Sequence, residues 1–419
     1  MTTDNLNHKH KKPISNILYA AIMIIIAIIT IEAVYFLDKL NNQPVPPITN
    51  KPIKAEVPKK ATIPEPPPNI TIKISGGGLH SLALKSDGSV WAWGFNDSGQ
   101  LGNGSNIERS VSTRVTNLSD ITAIAAGSDH SLALKKDGTV WAWGANDSGQ
   151  LGDGTVVNHP TPIQVKGLTN IIAIAAGHSH SIALKNNGTL WVWGFNHYGQ
   201  LGDSTLVDRP LPLEIKEVKN ITAISAGAFI TVAIKSNGSV YAWGQNDTGQ
   251  LGDGTRLNSN YPVLIRGLKD VKAIASESFI TIALKTDGTV WTWGQNDYGQ
   301  LGDGTKIYSA IPIKVSALSN IIAIAGGAGH TIALKSDGKI WAWGANFFGQ
   351  LGKNSDITGH STPIAITGID NVKTISCGSD FTLALKNDGS VWAWGSNDYS
   401  QLGNGTRTNS FKPVRVSGL

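Results

Sequence analysis

The chain has 419 residues, of which 47 are glycine and 18 are proline, and only 16% are charged. This composition is typical of many short strands joined by tight turns and argues against a helical bundle. The chain has 35 lysines and arginines and 30 acids, a net charge of +5. Nine of these bases and five of the acids precede residue 74, which leaves 26 bases and 25 acids for the remainder. A near-neutral main domain argues against nucleic acid as a partner, because phosphate binding requires a basic surface. The single cysteine, Cys377, excludes an internal disulfide.

The N-terminal segment has the pattern of a membrane anchor. No charged residue lies between Pro13 and Ile31, and the apolar stretch continues to Leu37 with one interruption. As a helix, Ile14 to Leu37 would be about 36 Å long at ~1.5 Å per residue, enough to cross a hydrocarbon layer of ~30 Å. Three lysines precede it, so the positive-inside tendency makes residues 1–13 a cytoplasmic tail and places the rest of the chain outside. A cleaved signal peptide is the alternative, but the apolar region is long for one and no clear cleavage site follows.

Residues 38–69 are predicted to form an extended linker. Nine prolines fall between Asn41 and Asn69. Proline lacks a backbone N–H and fixes φ, so such a segment cannot build helix or sheet and adopts a polyproline-like conformation instead. It would span at most ~90 Å at ~3.1 Å per residue. We expect this segment to act as a stalk.

The remainder, residues 70–419, consists of seven tandem repeats. The motif Trp91–Gly94 recurs at intervals of 50 residues five times and then at 51. All 13 tryptophans lie in this motif, and Tyr241 replaces the one that is missing. A Gly-Gln-Leu-Gly motif follows each time, except that Ser400 replaces its first glycine in the last repeat. The predicted repeats are about 70–119, 120–169, 170–219, 220–269, 270–319, 320–370 and 371–419.

Each repeat is predicted to form four short strands, named A to D. In the second repeat they run from Ile121 to Ala126, His130 to Lys135, Thr139 to Trp143 and Pro162 to Val165. An Asp-Gly or Asn-Gly pair between B and C is a strong hairpin signal. Large and small side chains alternate in B and C, as expected for sheets that pack on both faces. The terminal repeats are as apolar as the middle ones, which favours an all-β, closed seven-bladed β-propeller over an open solenoid with polar caps.

These repeats resemble the regulator-of-chromosome-condensation repeat family. The resemblance covers about residues 70–419 and rests on Gly-x-x-His, Asp-Gly, Trp-Gly-x-Asn and Gly-Gln-Leu-Gly elements in the right order and period. It implies a seven-bladed propeller, here in a bacterial, membrane-anchored member. The founding member is a guanine-nucleotide exchange factor for a small nuclear GTPase, and a bacterial member is a propeller-type β-lactamase inhibitor. Such a resemblance carries over the fold and not the function.

No grouping of residues in the repeats indicates catalysis, and we predict no catalytic residue, cofactor or metal. The Gly-x-x-His position holds a histidine in four repeats and Ile or Phe in the other three. Metal ligands must converge on one ion at ~2.0–2.1 Å, which residues of separate blades do not favour. A lysine precedes every B–C turn, and its default interpretation is a solvated turn flank, with docking to an anionic surface as the alternative. The histidines are His80, His130, His180 and His330, and the lysines are Lys85, Lys135, Lys185, Lys235, Lys285, Lys335 and Lys386.

Aromatic residues outside the tryptophan motif indicate one candidate binding face. If the strands run alternately up and down, the A–B and C–D loops share one face and the B–C hairpins share the other. Thirteen such residues, Phe381, Tyr261 and Phe411 among them, fall in or beside A–B and C–D loops, and about half should pack loop against loop. Aromatic side chains give large contact area with few torsions and are enriched in protein interfaces. The predicted partner-binding residues are Phe95, Tyr198, Phe229, Phe279, Tyr298, Tyr308, Phe347, Phe348 and Tyr399.

The sequence therefore predicts a non-enzymatic, single-pass membrane protein that binds a protein partner outside the cytoplasmic membrane through this face. A cell-wall or carbohydrate-binding module is one alternative, because exposed aromatic rings also stack on sugars. A guanine-nucleotide exchange factor-like regulator of a small GTPase is another. In the founding member of the family an inserted β-wedge engages the GTPase, and the uniform repeats of 50 or 51 residues contain no such insertion.

Overall fold

The computed structural model describes residues 70–353 and 357–419, which form 28 strands in seven four-stranded antiparallel sheets. Each sheet contains the four consecutive strands of one repeat in the order A-B-C-D, so every repeat is one blade of a β-propeller. The predicted cytoplasmic tail, membrane helix and Pro-rich linker lie outside the described residues. Within the described ranges, no helix is long and apolar enough to cross a membrane.

The strands are numbered in chain order. Blade 1 contains β1 (Thr71–Gly76), β2 (His80–Lys85), β3 (Val90–Gly94) and β4 (Arg109–Arg114). Blade 2 contains β5 (Ile121–Ala126), β6 (His130–Lys135), β7 (Val140–Gly144) and β8 (His159–Gln164). Blade 3 contains β9 (Ile171–Ala176), β10 (His180–Lys185), β11 (Leu190–Gly194) and β12 (Arg209–Ile215). Blade 4 contains β13 (Ile221–Ala226), β14 (Ile230–Lys235), β15 (Val240–Gly244) and β16 (Ser259–Leu264).

The other three blades repeat the pattern. Blade 5 contains β17 (Val271–Glu277), β18 (Ile280–Lys285), β19 (Val290–Gly294) and β20 (Ser309–Lys314). Blade 6 contains β21 (Ile321–Gly326), β22 (His330–Lys335), β23 (Ile340–Gly344) and β24 (His360–Ala365). Blade 7 contains β25 (Val372–Cys377), β26 (Phe381–Lys386), β27 (Val391–Gly395) and β28 (Ser410–Arg415).

The B–C hairpins follow the turn chemistry of their sequence. Gly138 adopts a φ of 81°, which a residue with a Cβ rarely tolerates. The Asp137 carboxylate accepts hydrogen bonds from the amide and the hydroxyl of Thr139, at 2.9 and 2.6 Å. Thr139 therefore belongs to the turn, and strand C begins one residue later than predicted.

The hydrophobic core is divided among the boundaries between blades. In the described residues each of the seven buried clusters combines side chains of two adjacent blades. Between blades 2 and 3, for example, Leu132 and Leu134 pack in one cluster with Ala183 and Trp193. The alternation of large and small residues thus lets the large face of one sheet meet the small face of the next.

The ring closes by packing of blade 7 against blade 1, which excludes the open solenoid. Each of these blades keeps its own four strands, so no strand is exchanged between the two chain ends. The Trp93 indole and the Ser81 hydroxyl of blade 1 both donate to the carbonyl oxygen of Gln401, at 2.9 and 3.0 Å. The amide of Gly76 donates to the Ser376 hydroxyl at 3.0 Å.

The outermost strand D begins earlier than the sequence indicated. In blade 2 it spans His159–Gln164 instead of 162–165, because His159 already pairs with Gly144 across a bulge. Prolines fit this strand because one side of an edge strand has no ladder partner. As a consequence, Tyr261 and Phe411 lie within β16 and β28 and not in the preceding loops.

Candidate binding face

The strand registers place two sets of loops at the same end of every blade. In blade 1 the end of strand A pairs with the start of B, and the end of strand C pairs with the start of D. The A–B and C–D loops therefore form one face, here called the loop face, and the B–C hairpins form the hairpin face. This arrangement is the one predicted from the strand order.

Each C–D loop is held by the asparagine of the Trp-Gly-x-Asn motif. In blade 2, Asn146 is wholly buried; its Nδ2 donates to the Thr155 carbonyl at 3.1 Å, and its Oδ1 accepts from the Leu151 amide at 2.8 Å. In all seven blades, Oδ1 of this asparagine accepts a hydrogen bond from the backbone amide five residues later. A loop fixed in this way loses little conformational freedom when a partner binds.

Three groups of predicted aromatic residues meet across blade boundaries. Between blades 5 and 6, the rings of Tyr298 and Phe347 lie edge to face with centroids 5.1 Å apart, and the two residues are 40% and 48% exposed. Between blades 7 and 1, Phe95 and Tyr399 form a similar pair at 5.1 Å. These rings are partly packed, as expected for about half of the set, yet retain exposed area on the loop face.

The third group lies between blades 3 and 4. Tyr198 and Phe229 have ring centroids 5.0 Å apart, and Phe195 lies 5.7 Å from Phe229. His178 and His197 stack at the edges of this group, at 5.3 and 4.5 Å. Phe195 was not among the predicted binding residues, although it joins two of them.

The remaining aromatic residues have more individual surroundings. The Tyr308 hydroxyl donates to the Asp297 carboxylate, which raises the pKa of this tyrosine, and the Arg256 guanidinium lies 5.6 Å from its ring centroid. Phe279 and Phe348 are half-buried. Phe381 is completely buried in the position that other blades give to histidine, so it belongs to the core and not to the loop face.

A set of exposed aliphatic residues on the same loops was not predicted. In four of the six blades with such a residue, the buried asparagine donates a hydrogen bond to its carbonyl oxygen. In all six blades its side chain is more than half exposed. The signal was present in the sequence as an apolar residue at a fixed repeat position inside polar loops. This aliphatic crown consists of Ile107, Val157, Val207, Leu257, Ile307 and Ile357.

The four histidines connect neighbouring blades. Nε2 of His80, His130, His180 and His330 lies 2.9–3.2 Å from a Ser or Thr hydroxyl of the next blade. Because the Ser131 hydroxyl donates to the Gln100 carbonyl at 2.9 Å, the His80 imidazole must be the donor in its pair. Burial lowers the pKa of His80 to about 4 and of the other three to about 3, so these imidazoles are neutral. Among the described residues no group of side chains could hold a metal ion.

The lysine ring has a packing explanation. Lys85 Nζ lies 4.4 Å from the ring centroid of Trp91, and five of the other lysines lie 5.5–5.7 Å from the equivalent ring. Such cation–π contacts hold each ammonium group over the first aromatic residue of its own motif. This packing favours the turn-flank interpretation over a docking surface for anions.

A closed ring of seven four-stranded blades, with rigid loops that expose aromatic and aliphatic side chains on one face, defines a β-propeller with an apolar loop face. The RCC1-like domain model matches residues 45–305 and 170–419, and the chain belongs to this family. The resemblance inferred from the repeat motifs is therefore confirmed.

Solved structures share this fold, and a curated protein matches a short segment of the chain. The propeller of human WBSCR16 superposes with a TM-score of 0.72 at 23% identity, over 79% of this chain and 94% of that one. Prp20p from Saccharomyces cerevisiae gives 0.72 at 24% identity, over 83% and 88%. The human E3 ubiquitin-protein ligase HERC2 is 42% identical over 55 residues, or 13% of this chain and 1% of that protein. The chain thus spans a very small part of the length of this curated relative, and the likenesses to solved structures show the fold alone.

Proposed function

We propose that this protein is a membrane-anchored interaction module that binds a protein partner outside the cytoplasmic membrane through its loop face. The proposal rests mainly on one observation: rigid loops expose both the aromatic groups and the aliphatic crown on the same face. Exposed apolar patches of this kind mark interaction sites on soluble domains. Aromatic side chains are also enriched in protein interfaces, and tyrosine is among the residues that contribute most to binding energy there.

The family comparison supports a protein as the partner. The structure of Prp20p is described together with its binding to Gsp1p and histones, and yeast RCC1 has been crystallised with Kap60 bound. Both descriptions concern one yeast protein of this fold that binds other proteins. The partners of those proteins do not transfer to this chain, because identities below 25% carry over the fold alone.

The membrane anchor and the extracytoplasmic location are parts of the same proposal. They are supported by the uncharged stretch from Pro13 to Ile31 and by the lysines that precede it. The Pro-rich linker would then hold the propeller away from the bilayer. In this arrangement the loop face meets partners in the space beyond the membrane.

The test is capture of the partner on intact cells that express the full chain. A membrane-impermeant crosslinker is added, and crosslinked proteins are identified by mass spectrometry. The combined Tyr298→Ala, Phe347→Ala and Phe348→Ala variant should lose capture at least tenfold, while its thermal midpoint should change little, because Tyr298 and Phe347 are about half exposed.

A matched control removes apolar area elsewhere. Ile172 and Ile322 are also about half exposed but lie at the start of strand A, towards the hairpin face. Their double replacement by alanine should leave capture unchanged. Equal losses of capture and stability in the aromatic variant would contradict a binding role, and crosslinking only after lysis would contradict the external location. Binding to glycans without any protein partner, or accelerated nucleotide release from a captured GTPase, would replace the proposal by one of its alternatives.

A further inference from the structure

The A strands of the seven blades line a central channel, and one residue at its mouth breaks the repeat. At the first position of the Gly-x-x-His motif six repeats have glycine, whereas blade 5 has Glu277. Glu277 lines both the channel and the cavity at its mouth on the loop face. Aligning the seven repeats shows Glu277 as an exception in the sequence alone.

The structure explains how blade 5 accommodates a side chain there. In blade 6, a Cβ added to Gly327 would overlap the imidazole of His330, which lies over its own glycine. Blade 5 has Ile280 in place of that histidine, and β17 continues through Glu277 into a tight turn that pairs Glu277 with Ile280. The glutamate therefore extends from a strand end that no ring covers.

The rim of the channel also lacks a backbone hydrogen bond on both sides of blade 5 among the described residues. At five blade boundaries an amide of one A–B loop donates to a loop carbonyl of the next blade, as from His178 to Ala228 at 3.1 Å. Among the described residues, the two boundaries without such a bond are those between blades 4 and 5 and between blades 5 and 6. Glu277 thus lies where the hydrogen bonds of the rim are interrupted.

The cavity at the mouth is small and has a single formal charge. Its volume is about 50 Å³, enough for groups of the size of a water molecule. The wall is mostly Gly, Ala and Ser, and its other titratable side chain is His178. Among the described residues no lysine or arginine lines this cavity, and burial raises the pKa of Glu277 to about 7. The thiol of Cys377, whose pKa burial also raises, is the further titratable group close to this carboxylate.

We propose that the channel mouth binds a primary ammonium group with the Glu277 carboxylate as its counter-ion, and that the occupant is a lysine side chain of the protein partner. This part rests on the proposed function. An ammonium group is a compact charge of about the size of water, and a four-carbon stem lets it reach below the surface of the partner. A calcium ion would require six to eight oxygen ligands, usually with several carboxylates, whereas this wall contains one.

The first experiment measures the cation site without the partner. The full chain in detergent is titrated with n-butylammonium, a mimic of the lysine side chain, and binding is followed by calorimetry at about pH 8 and about pH 6. Glu277→Gln should weaken binding at least tenfold, and wild-type binding should be several-fold stronger at the higher pH because the carboxylate is then ionised. Glu277→Gly, which restores the residue of the other six repeats, should behave like the glutamine variant.

Controls separate charge from general effects. Glu214→Gln removes a carboxylate on β12 that is half-buried, as Glu277 is, and should leave n-butylammonium binding unchanged. The neutral n-butanol should not bind. Equal binding to wild type and Glu277→Gln would overturn the proposed site, and so would competition by sodium or potassium at the same concentration as n-butylammonium.

The second experiment addresses the occupant. Acetylation of the lysines of the captured partner, or Glu277→Gln in this chain, should lower capture at least tenfold. Binding of n-butylammonium together with undiminished capture would show that a partner lysine is not the occupant. Suppose instead that the combined aromatic variant captures the partner as well as the wild type does, while n-butylammonium binding is intact. That result would count against the proposed function and not against the cation site.

Discussion

At the scale of single residues, the structure converts a repeated sequence signature into contacts between blades. At the boundary between blades 2 and 3, the His130 imidazole meets the hydroxyl of Ser181, which follows the histidine of blade 3. The carbonyl oxygen of Gln150, for example, accepts from the Ser181 hydroxyl and the Trp193 indole, both at 2.8 Å. The four histidines that look like a possible metal set in the sequence therefore join neighbouring blades through Nε2.

Buried neutral histidines make stability depend on pH. Their folded pKa values of about 3 to 4 lie below the ordinary 6.5, so the unfolded chain binds more protons between these limits and stability falls as the pH falls below 6.5. At about pH 5 each buried histidine should lower the free energy of unfolding by about 2 kcal/mol. Glu277 acts in the opposite direction, because its folded pKa is raised and stability is gained as the pH falls through 7.

Replacing His180 by isoleucine should reduce this pH dependence. Isoleucine occupies the same position in blades 4 and 5, and Thr231 keeps its bond to the Gln200 carbonyl at 2.7 Å. The loss of unfolding free energy between about pH 7 and pH 5 should shrink by about 2 kcal/mol in urea titrations. Ile230→Val, at the equivalent position of blade 4, changes packing without removing a titratable group and should leave the pH dependence as it is. An unchanged slope in His180→Ile would contradict neutral burial.

At the scale of elements, the sequence predicted strands A and B of blade 2 to the residue and missed the others by small amounts. Strand A and B boundaries follow from local patterns, since apolar runs end at glycine and at the Asp-Gly turn. Strand D is an edge strand, so its start is set by pairing with strand C across a bulge, as His159 pairs with Gly144. A pairing between residues 15 apart leaves no local signal in either segment.

The A–B loop provides a prediction at this scale. Gly327→Ala should destabilise the protein by about 3 kcal/mol, because the added carbon overlaps the His330 ring and lies 2.7 Å from the Gly378 carbonyl oxygen. Gly227→Ala should cost about 1 kcal/mol, since its nearest neighbour is an Ile230 carbon at 2.9 Å. Urea unfolding of both variants measures the difference. Similar losses would mean that the ring above the glycine does not dictate this position.

At the scale of the whole molecule, the ends of the chain are joined without an exchanged strand. Glu108 of blade 1 accepts from Arg407 of blade 7 through two nitrogens, at 3.0 and 2.6 Å. The hydroxyl of Ser400 donates to the same carboxylate. The one departure from Gly-Gln-Leu-Gly thus falls at the closing boundary, where the serine contributes to a polar latch between the first and last blades.

Opening this latch should loosen the closing boundary selectively. Arg407→Gln removes a largely exposed bidentate partner, so we expect a loss of about 1 kcal/mol and a roughly fivefold faster amide exchange in β4 and β28, the strands that follow Glu108 and Arg407. Hydrogen-exchange mass spectrometry of the full chain measures both regions. The matched control is Arg209→Gln, which breaks a 2.8 Å pair with Asp203 inside blade 3 and should affect exchange there alone. Equally faster exchange in all blades would contradict a local role for the latch.

The amino-acid sequence by itself determined the number of blades, the A and B strands and the face that carries the aromatic residues, because the 50-residue period and the alternation along the chain are local properties. Only the tertiary structure decided which rings remain exposed, why Phe381 is core, and that the histidines and lysines pack within the ring. The same holds for the aliphatic crown, for Glu277 at the channel mouth and for the Glu108–Arg407 latch. The histidine contacts and the latch join residues about 50 to 300 positions apart, which packing of neighbouring blades and closure of the ring bring together. The lysine contacts and the crown depend on local side-chain geometry, which the order of residue types does not specify.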